Sequence, residues 1–172
     1  MTAASPRVAV VIPAWNAAGT IAETLRSVVA QSLQEWEAVV VDDGSTDGTA
    51  TAVESFTDPR IRLICQERRG LPAAGRNRGI AETMAPYVAF LDADDLWEPS
   101  KLARQVALLD ATPGIGLVHC HAIHFGAAGE QRPELPHTPP GVGAMLPLLA
   151  ARNFIHNSAA MVRRELLDSL GP

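Results

Sequence analysis

Apolar runs of strand length alternate with amphipathic segments along most of the chain. The first run, RVAVVIPA at 7–14, is continuous and rich in β-branched residues, which is typical of a strand covered on both faces. Over 19–33 the apolar residues recur at helical spacing, and Thr20 with Glu23 predicts a capping box. The same alternation predicts strands within 37–43, 58–67, 86–95 and 114–125, and helices within 46–56, 71–84 and 98–110.

The last part of the chain is less regular. A Gly- and Pro-rich stretch at 126–143 predicts a long surface loop, and 153–171 predicts a strand that runs into a final helix. Strands that alternate with helices form parallel βαβ units, so we expect an open, mostly parallel α/β sheet flanked by helices. Ligands of such sheets bind beyond the carboxyl ends of the strands. This rule indicates three loops: PAWN at 13–16, DDGSTD at 42–47 and DADD at 92–95.

Composition is that of an ordinary globular protein. The 172 residues suffice for one domain, with 47% hydrophobic and 19% charged residues. The net charge of −5 argues against a nucleic-acid partner, and no apolar run is long enough to span a membrane. We expect a soluble, cytoplasmic protein, which is compatible with peripheral association at the inner face of a membrane. Cys65 and Cys120 fit no zinc or redox spacing and are expected to be buried free thiols.

Three carboxylates crowd the end of the fourth predicted strand. Asp92, Asp94 and Asp95 repel one another unless a cation or hydrogen-bond donors neutralise them. One interpretation is a divalent metal site, because Mg²⁺ and Mn²⁺ prefer oxygen ligands and complete their shell with phosphate oxygens and water. The other is a solvated acidic loop that caps the next helix.

Flat and cationic side chains are predicted at the same edge of the sheet. Trp15 follows the first strand, where an indole either stacks on a base or packs in the core, and Asn16 fits a turn. Arg76 and Arg78 lie on the third predicted helix, and guanidinium groups suit phosphate. An exposed helical arginine is the simpler account, and for Arg78 we favour it.

The stretch VVVDDGSTDGT at 39–49 nearly fits an EF-hand calcium loop, with Ser45 where the pattern asks for Asp or Asn. An EF-hand needs a helix on both sides, whereas the valines before Asp43 predict a strand. We therefore expect the rim of a ligand pocket, with a calcium-binding protein as the remote alternative.

The histidines suggest a second candidate site. His119 and His121 would share one face of the fifth predicted strand, with His124 close by. No acid or cysteine stands at a metal-like spacing from them, so we expect packing roles. His156 lies beside polar residues late in the chain and is a candidate pocket residue.

Taken together, five motifs resemble the family 2 glycosyltransferases with the GT-A fold. They are VAVVIPAWN, VVVDDGSTDGT, GLPAAGRNRGIAE, YVAFLDADD and, more loosely, NSAAMVRRELLDSLG, and they cover nearly the whole chain. The resemblance implies a GT-A-like open, mostly parallel twisted sheet with a Rossmann-like nucleotide-binding half, in a single domain over 1–172. It also implies an inverting enzyme that transfers a sugar from a nucleoside-diphosphate sugar, foremost a UDP-sugar, with Mn²⁺ or Mg²⁺. The acceptor would be a hydroxyl of an unknown glycan, lipid or protein.

The resemblance assigns roles to individual residues. Trp15 would stack on the base, Asp43 would accept a hydrogen bond from a base such as uracil, and Arg76 would lie near the base and diphosphate. Asp94 and Asp95 are the candidate metal ligands, because the family frames its Asp-x-Asp motif in either register. The nucleotide-sugar site as a whole would comprise Pro13, Ala14, Trp15, Asn16, Asp43, Arg76, Asp92, Ala93 and Asp94.

The general base of the family has no match in this sequence. The family usually places it in an acidic motif downstream of the segment that resembles RRELLDSLG, and the sequence ends at Pro172. Glu165 and Asp168 fit ordinary helix-surface residues. We therefore expect a domain truncated on its acceptor and catalytic-base side, with the base beyond Pro172. A non-catalytic nucleotide-sugar-binding module is the alternative.

Overall fold

A computed structural model of the chain describes residues 5–126, 131–133, 143, 149 and 153–171. The strands are β1 (Val8–Ala14), β2 (Trp36–Asp42), β3 (Ile61–Cys65), β4 (Tyr87–Phe90), β5 (Leu117–Val118), β6 (Ile123–Phe125), β7 (Gln131–Pro133) and β8 (Met161–Arg163). The helices are α1 (Ile21–Val29), α2 (Thr49–Glu54), α3 (Pro72–Ala81), α4 (Lys101–Ala111) and α5 (Arg164–Leu170), and a 3₁₀ turn spans Asn157–Ala159.

Six strands form one open sheet in the order β3-β2-β1-β4-β8-β5. β1 runs parallel to β2 and β4, and β2 runs parallel to β3, whereas β8 is antiparallel to both of its neighbours. The prediction of an open, mostly parallel α/β sheet is confirmed. In the register of β1 and β2, Ala14 pairs with Asp42, so these two central strands end at the same edge of the sheet.

The core lies on both faces of the central strands, which explains their uninterrupted apolar sequence. On one face, β1 shares a buried cluster with α1 and α4, whose members include Val10, Ile21, Leu25, Leu102 and Val106. On the other face, α3 packs against β1. Glycines permit this close approach, because a Cβ built at Gly79 would lie 2.4 Å from Cγ1 of Val11.

The fifth strand was predicted too long and too regular. Of 114–125, only Leu117–Val118 joins the main sheet, while Ile123–Phe125 pairs with Gln131–Pro133 in a separate antiparallel ribbon. Within the predicted strand only Val118 is buried, so the residues after it lack the burial that would hold them in the main sheet. β7 also places a short strand inside the predicted loop at 126–143, most of which lies outside the described residues.

Two smaller expectations are wrong. Thr20 stands at the N-cap of α1, but its hydroxyl donates to the carbonyl of Ala17 and makes no capping bond, so the capping box is absent. Cys65 and Cys120 are free thiols as expected, yet both are exposed, because Cys65 ends the edge strand β3 and Cys120 follows the short strand β5. In the described part of the chain, no helix has the length and apolarity required to cross a membrane.

Candidate functional site

A cavity of about 580 Å³ opens where β1, β2 and β4 end. Every residue predicted for the nucleotide-sugar site lines it. These residues are 13–16 after β1, Asp43 after β2, Arg76 on α3, and 92–94 after β4. The parallel arrangement of the three strands is the reason that residues distant in sequence meet here, since their carboxyl ends share one edge.

Asp43 is held by the loop that follows β3. Its Oδ1 accepts hydrogen bonds from Nε2 of Gln66 at 2.7 Å and from the backbone N–H of Arg69 at 2.8 Å, and its Oδ2 accepts from the N–H of Gly70 at 2.8 Å. These donors, Gln66 foremost and then the two backbone groups, hold the pKa of Asp43 below its usual value, against the opposing effect of desolvation. A carboxylate has about four acceptor positions, so about one remains for a ligand.

The other polar residues of the stretch after β2 fix the loop that follows β1. Ser45 Oγ accepts from the N–H of Asn16 at 2.9 Å, and Oδ1 of Asn16 accepts from the N–H of Thr46 at 2.9 Å. Asn16 has a φ of 50°, a left-handed conformation that asparagine adopts more readily than most residues. Asp47 accepts from the N–H of Ala18 at 3.1 Å. The turn role predicted for Asn16 is confirmed.

These contacts rule out the EF-hand alternative. The segment that enters the loop is strand β2, not a helix. Ser45, at the third position of the calcium pattern, donates its hydroxyl proton to Asp42 at 2.5 Å, and Asp47, at the fifth, accepts from Thr49 Oγ1 at 2.5 Å. The Thr49 hydroxyl is also the main reason that the pKa of Asp47 is lowered. The polar residues at calcium-like spacing therefore stabilise the loops after β1 and β2 by hydrogen bonds.

The two arginines of α3 occupy different surroundings. Arg76 lines the cavity and donates from Nη2 to Oδ1 of Asp92 at 2.6 Å. Its Nε is buried and has no hydrogen-bond partner among the described residues. Arg78 is exposed and pairs with Glu82 at 2.7 Å, one helical turn along. The surface role predicted for Arg78 is confirmed.

The acidic loop after β4 separates its three carboxylates. Oγ of Ser158 accepts from the N–H of Asp92 at 3.0 Å and donates to Oδ2 of Asp95 at 2.5 Å. Asp95 does not line the cavity, whereas Asp94 does and is exposed. Among the described residues, no hydrogen bond or ion pair holds the Asp94 side chain, which leaves its oxygens available to a cation.

The alternative reading of this loop as a helix cap is wrong, because Ser100 stands at the N-cap of α4. Over the described ranges, no three side chains of His, Cys, Asp or Glu are grouped so that they could hold a metal ion without other ligands. Asp94 alone fits a cation that takes most of its ligands from phosphate oxygens and water, as Mg²⁺ commonly does.

The loop after β3 was overlooked in the sequence. It supplies Gln66 to Asp43, and it places the guanidinium of Arg68 over the ring of Trp15, with Cζ 3.6 Å from the ring centroid. Trp15 is 47% exposed, which excludes the alternative of a core residue. The sequence could have indicated this loop, because it follows a predicted parallel strand, β3, whose carboxyl end lies at the same edge of the sheet as those of the other strands.

The histidines stay away from the cavity. His119 lies outside the strands and contacts Phe154, with ring centroids 5.8 Å apart, and the rings of His124 and His156 lie edge to face at 6.0 Å. His119, His121 and His124 are all exposed, so the expected packing is limited to these ring contacts of His119 and His124. His156 does not line the cavity, so its candidacy as a pocket residue is wrong.

Comparison with known proteins gives a consistent result. Residues 9–171 match the sequence profile described as Glycosyl transferase family 2. The putative teichuronic acid biosynthesis glycosyltransferase TuaG of Bacillus subtilis (strain 168) is 39% identical over 111 residues, which are 63% of this chain and 44% of TuaG.

Two solved structures share the fold. The mannosyltransferase PcManGT from Pyrobaculum calidifontis, in complex with GDP-Man and Mn²⁺, is 30% identical with a TM-score of 0.72, over 98% of this chain and 48% of that one. TarS from S. aureus, in complex with UDP-GlcNAc, is 26% identical with a TM-score of 0.72, over 95% of this chain and 47% of that one. The chain spans about half the length of these relatives.

Proposed function

The chain belongs to glycosyl transferase family 2, and we propose that its cavity binds the nucleoside-diphosphate sugar of a transferase that acts on an acceptor hydroxyl. The observation that carries this proposal is the convergence of Trp15, Asp43, Arg76 and Asp94 on one cavity. Each side chain suits a different part of such a donor: an aromatic surface and an acceptor for the base, and a cation and a metal ligand for the diphosphate.

Asp43 favours a base that presents an N–H at its hydrogen-bonding edge. The carboxylate is ionised and only accepts hydrogen bonds, and Asp43 lines the cavity. Uracil offers N3–H and guanine offers N1–H to such an acceptor, whereas N3 of cytosine is itself an acceptor and would be repelled. This contrast supports a UDP- or GDP-sugar over a CDP-sugar as the donor, and we take UDP as the first ligand to test.

The charge of the cavity favours a divalent cation. Its lining includes three carboxylates, Asp43, Asp92 and Asp94, and two guanidinium groups, Arg68 and Arg76, which leave a net charge of −1. A diphosphate would be repelled by that charge unless a cation accompanied it. We assign the cation to Asp94 and not to Asp95, because Asp95 is bound to Ser158. Mn²⁺ or Mg²⁺ held there would neutralise the charge that develops on the leaving diphosphate.

Within that reaction, the residues of this chain bind and orient the donor. Arg76 is fixed by Asp92 at 2.6 Å and lines the cavity, so its guanidinium would lie beside the diphosphate of a bound donor. In an inverting transfer the acceptor oxygen would form a bond to the anomeric carbon while the bond to the diphosphate breaks, and the hydroxyl proton would pass to a general base. We propose that this chain is the donor-binding part of a longer domain, whose remaining part supplies the acceptor site and the base.

Titration calorimetry with UDP tests the proposal. We expect the wild-type protein to bind UDP in Mn²⁺, and Asp94→Asn to weaken that binding by roughly tenfold or more, since a metal-bound carboxylate is lost. In EDTA this loss should disappear, and Asp94→Asn should bind UDP at least as tightly as wild type, because the variant removes one negative charge from the cavity. Asp168→Asn, at an exposed position on α5, is the matched control and should behave as wild type. Absence of binding to UDP and GDP in both Mn²⁺ and Mg²⁺ would refute the proposed function.

Donor turnover distinguishes an enzyme from a non-catalytic donor-binding module. A chain extended to the length of the relatives should hydrolyse or transfer the sugar of a bound UDP-sugar, whereas binding without turnover in that longer chain would favour the module.

A further inference from the structure

Arg68 covers the surface on which a base would stack. Its guanidinium carbon lies 3.6 Å from the centroid of the Trp15 ring, within the range of a cation–π contact. Both side chains line the cavity. A flat base and the guanidinium cannot occupy the same face of the indole at the same time, so binding to that face requires Arg68 to move.

The backbone that carries Arg68 is fixed, whereas the contact that holds its side chain among the described residues is the one with the indole. Asp43 binds the N–H groups of Arg69 and Gly70 that follow it. Gly44 leaves room on the other side, because a Cβ there would lie 3.0 Å from the backbone nitrogen of Arg68. We therefore expect only the side chain of Arg68 to move, since it is exposed and its backbone is held in place.

The two arginines of the cavity differ in whether a carboxylate neutralises their charge. Arg76 is neutralised by Asp92 at 2.6 Å, whereas in the described part of the chain no carboxylate forms an ion pair with Arg68. Its charge acts on Asp43 only as a minor cause of the lowered pKa of that carboxyl. A guanidinium that leaves the indole thus still has its hydrogen-bond donors available for an anion.

We propose that Arg68 is a specificity-determining residue that makes the cavity select nucleoside diphosphates over nucleosides. In the ligand-free protein it covers Trp15 and opposes the binding of a base. On binding of a nucleoside diphosphate it leaves the indole and donates to the phosphates, which offsets the lost cation–π contact. A nucleoside displaces Arg68 and offers it no such partner. The inference rests on the proposed function of the cavity.

Two variants distinguish the effect of the Arg68 side chain lying on Trp15 from the effect of its positive charge. Arg68→Ala removes both, and Arg68→Met removes the charge but keeps a long side chain that can lie on the indole. Arg78→Ala is the control, since it removes an exposed arginine outside the cavity. Dissociation constants for UDP and uridine are measured in Mn²⁺. Acrylamide quenching of tryptophan fluorescence in the ligand-free proteins reports on Trp15, because Trp36 and Trp97 are buried.

We expect Arg68→Ala to increase quenching, to bind uridine about threefold more tightly and to bind UDP about tenfold more weakly than wild type. Arg68→Met should lose the same factor for UDP and bind uridine as wild type does, and Arg78→Ala should change neither constant. An unchanged ratio of the UDP and uridine constants in Arg68→Ala, or a parallel weakening of both ligands, would overturn the inference while leaving the proposed function intact. Failure of wild type to bind UDP would overturn both.

Discussion

Asp43 combines a structural role with its place in the cavity. Three donors from the loop after β3 hold its carboxylate, and this residue therefore determines where Arg68 and Gly70 lie. Because the donors stabilise the ionised form, the pKa of Asp43 in the folded protein is below that in the unfolded chain. A ligand that uses its remaining acceptor position meets a group that is already oriented.

Asp43→Asn should destabilise the protein by about 1–2 kcal/mol at pH 7, because an amide replaces one of the two acceptor oxygens. The folded pKa is lowered, so the contribution of the carboxylate is complete above the unfolded pKa of about 4. It is lost as the pH falls through the folded value. Urea unfolding from pH 7 to pH 2 should show a difference between wild type and variant that shrinks below about pH 4. A difference that stays constant over this range would contradict the expected role of the charge.

Lys101 is the only lysine of the chain and is buried. Its Nζ donates to Oε1 of Gln105 at 2.8 Å and lies 4.0 Å from the centroid of the Trp97 ring, with no carboxylate bonded to it among the described residues. Burial lowers its pKa from 10.5 to about 8. Between these values the unfolded chain holds a proton that the folded protein has released, so stability rises with pH.

Lys101→Met should abolish this rise. We expect the wild type to gain stability on the order of 3 kcal/mol between pH 8 and pH 10.5 relative to the variant. Urea unfolding of both proteins across this range measures the difference. NMR titration of the Lys101 side chain provides an independent check, since no other lysine contributes a signal. A midpoint near 10.5 would show that the ammonium group is well solvated.

The sequence located the acids of the site but not their partners. Asp43, Asp92 and Asp94 follow apolar strands, and that position predicted the edge of the sheet. The donors that hold Asp43 lie 23 to 27 residues away, and Ser158 lies 63 residues from Asp95. Such contacts depend on how loops pack in three dimensions, which local spacing does not encode, so the distinction between Asp94 and Asp95 needed the structure.

At the scale of elements, the packing of α3 on β1 brings Arg76 to the cavity. The helix buries Gly75 and Gly79 against the strand, and a Cβ at Gly75 would lie 3.1 Å from Cβ of Pro13. The predicted helix was correct in position, yet its apolar spacing is weak because the buried face consists of glycines. The prediction of the fifth strand failed for the opposite reason, since its apolar residues predicted burial, whereas only Val118 of 114–125 is buried.

Gly79→Ala should destabilise the protein despite the higher helix propensity of alanine. The new Cβ would meet Val11 at 2.4 Å and 3.3 Å, and overpacking of this kind costs about 1–3 kcal/mol, against a gain of up to about 1 kcal/mol from propensity. Thermal unfolding should show a lower Tm. Gly114→Ala is the matched control, because nothing lies within 4 Å of its added Cβ. An equal or higher Tm for Gly79→Ala would mean that α3 shifts freely on the sheet.

At the scale of the whole molecule, the cavity joins segments that are far apart in the chain. Its walls come from the ends of β1, β2 and β4, from the loop after β3, and from α3. A ligand that contacts all of them binds only when the sheet is assembled, so its binding energy adds to the free energy of unfolding. The net charge of −1 makes this coupling depend on a cation for an anionic ligand but not for a neutral one.

UDP at about one hundred times its dissociation constant should therefore stabilise the protein by about 2.7 kcal/mol in Mn²⁺, which corresponds to a rise in Tm of roughly 5–10 °C for a chain of this size. Replacing Mn²⁺ by EDTA at the same UDP concentration should remove most of the rise, since the diphosphate then meets an acidic cavity without its counter-charge. Uridine carries no phosphate, so its smaller shift should be the same in Mn²⁺ and EDTA. A UDP shift that survives EDTA would mean that Arg68 and Arg76 neutralise the diphosphate alone, and the assignment of a metal to Asp94 would then be wrong.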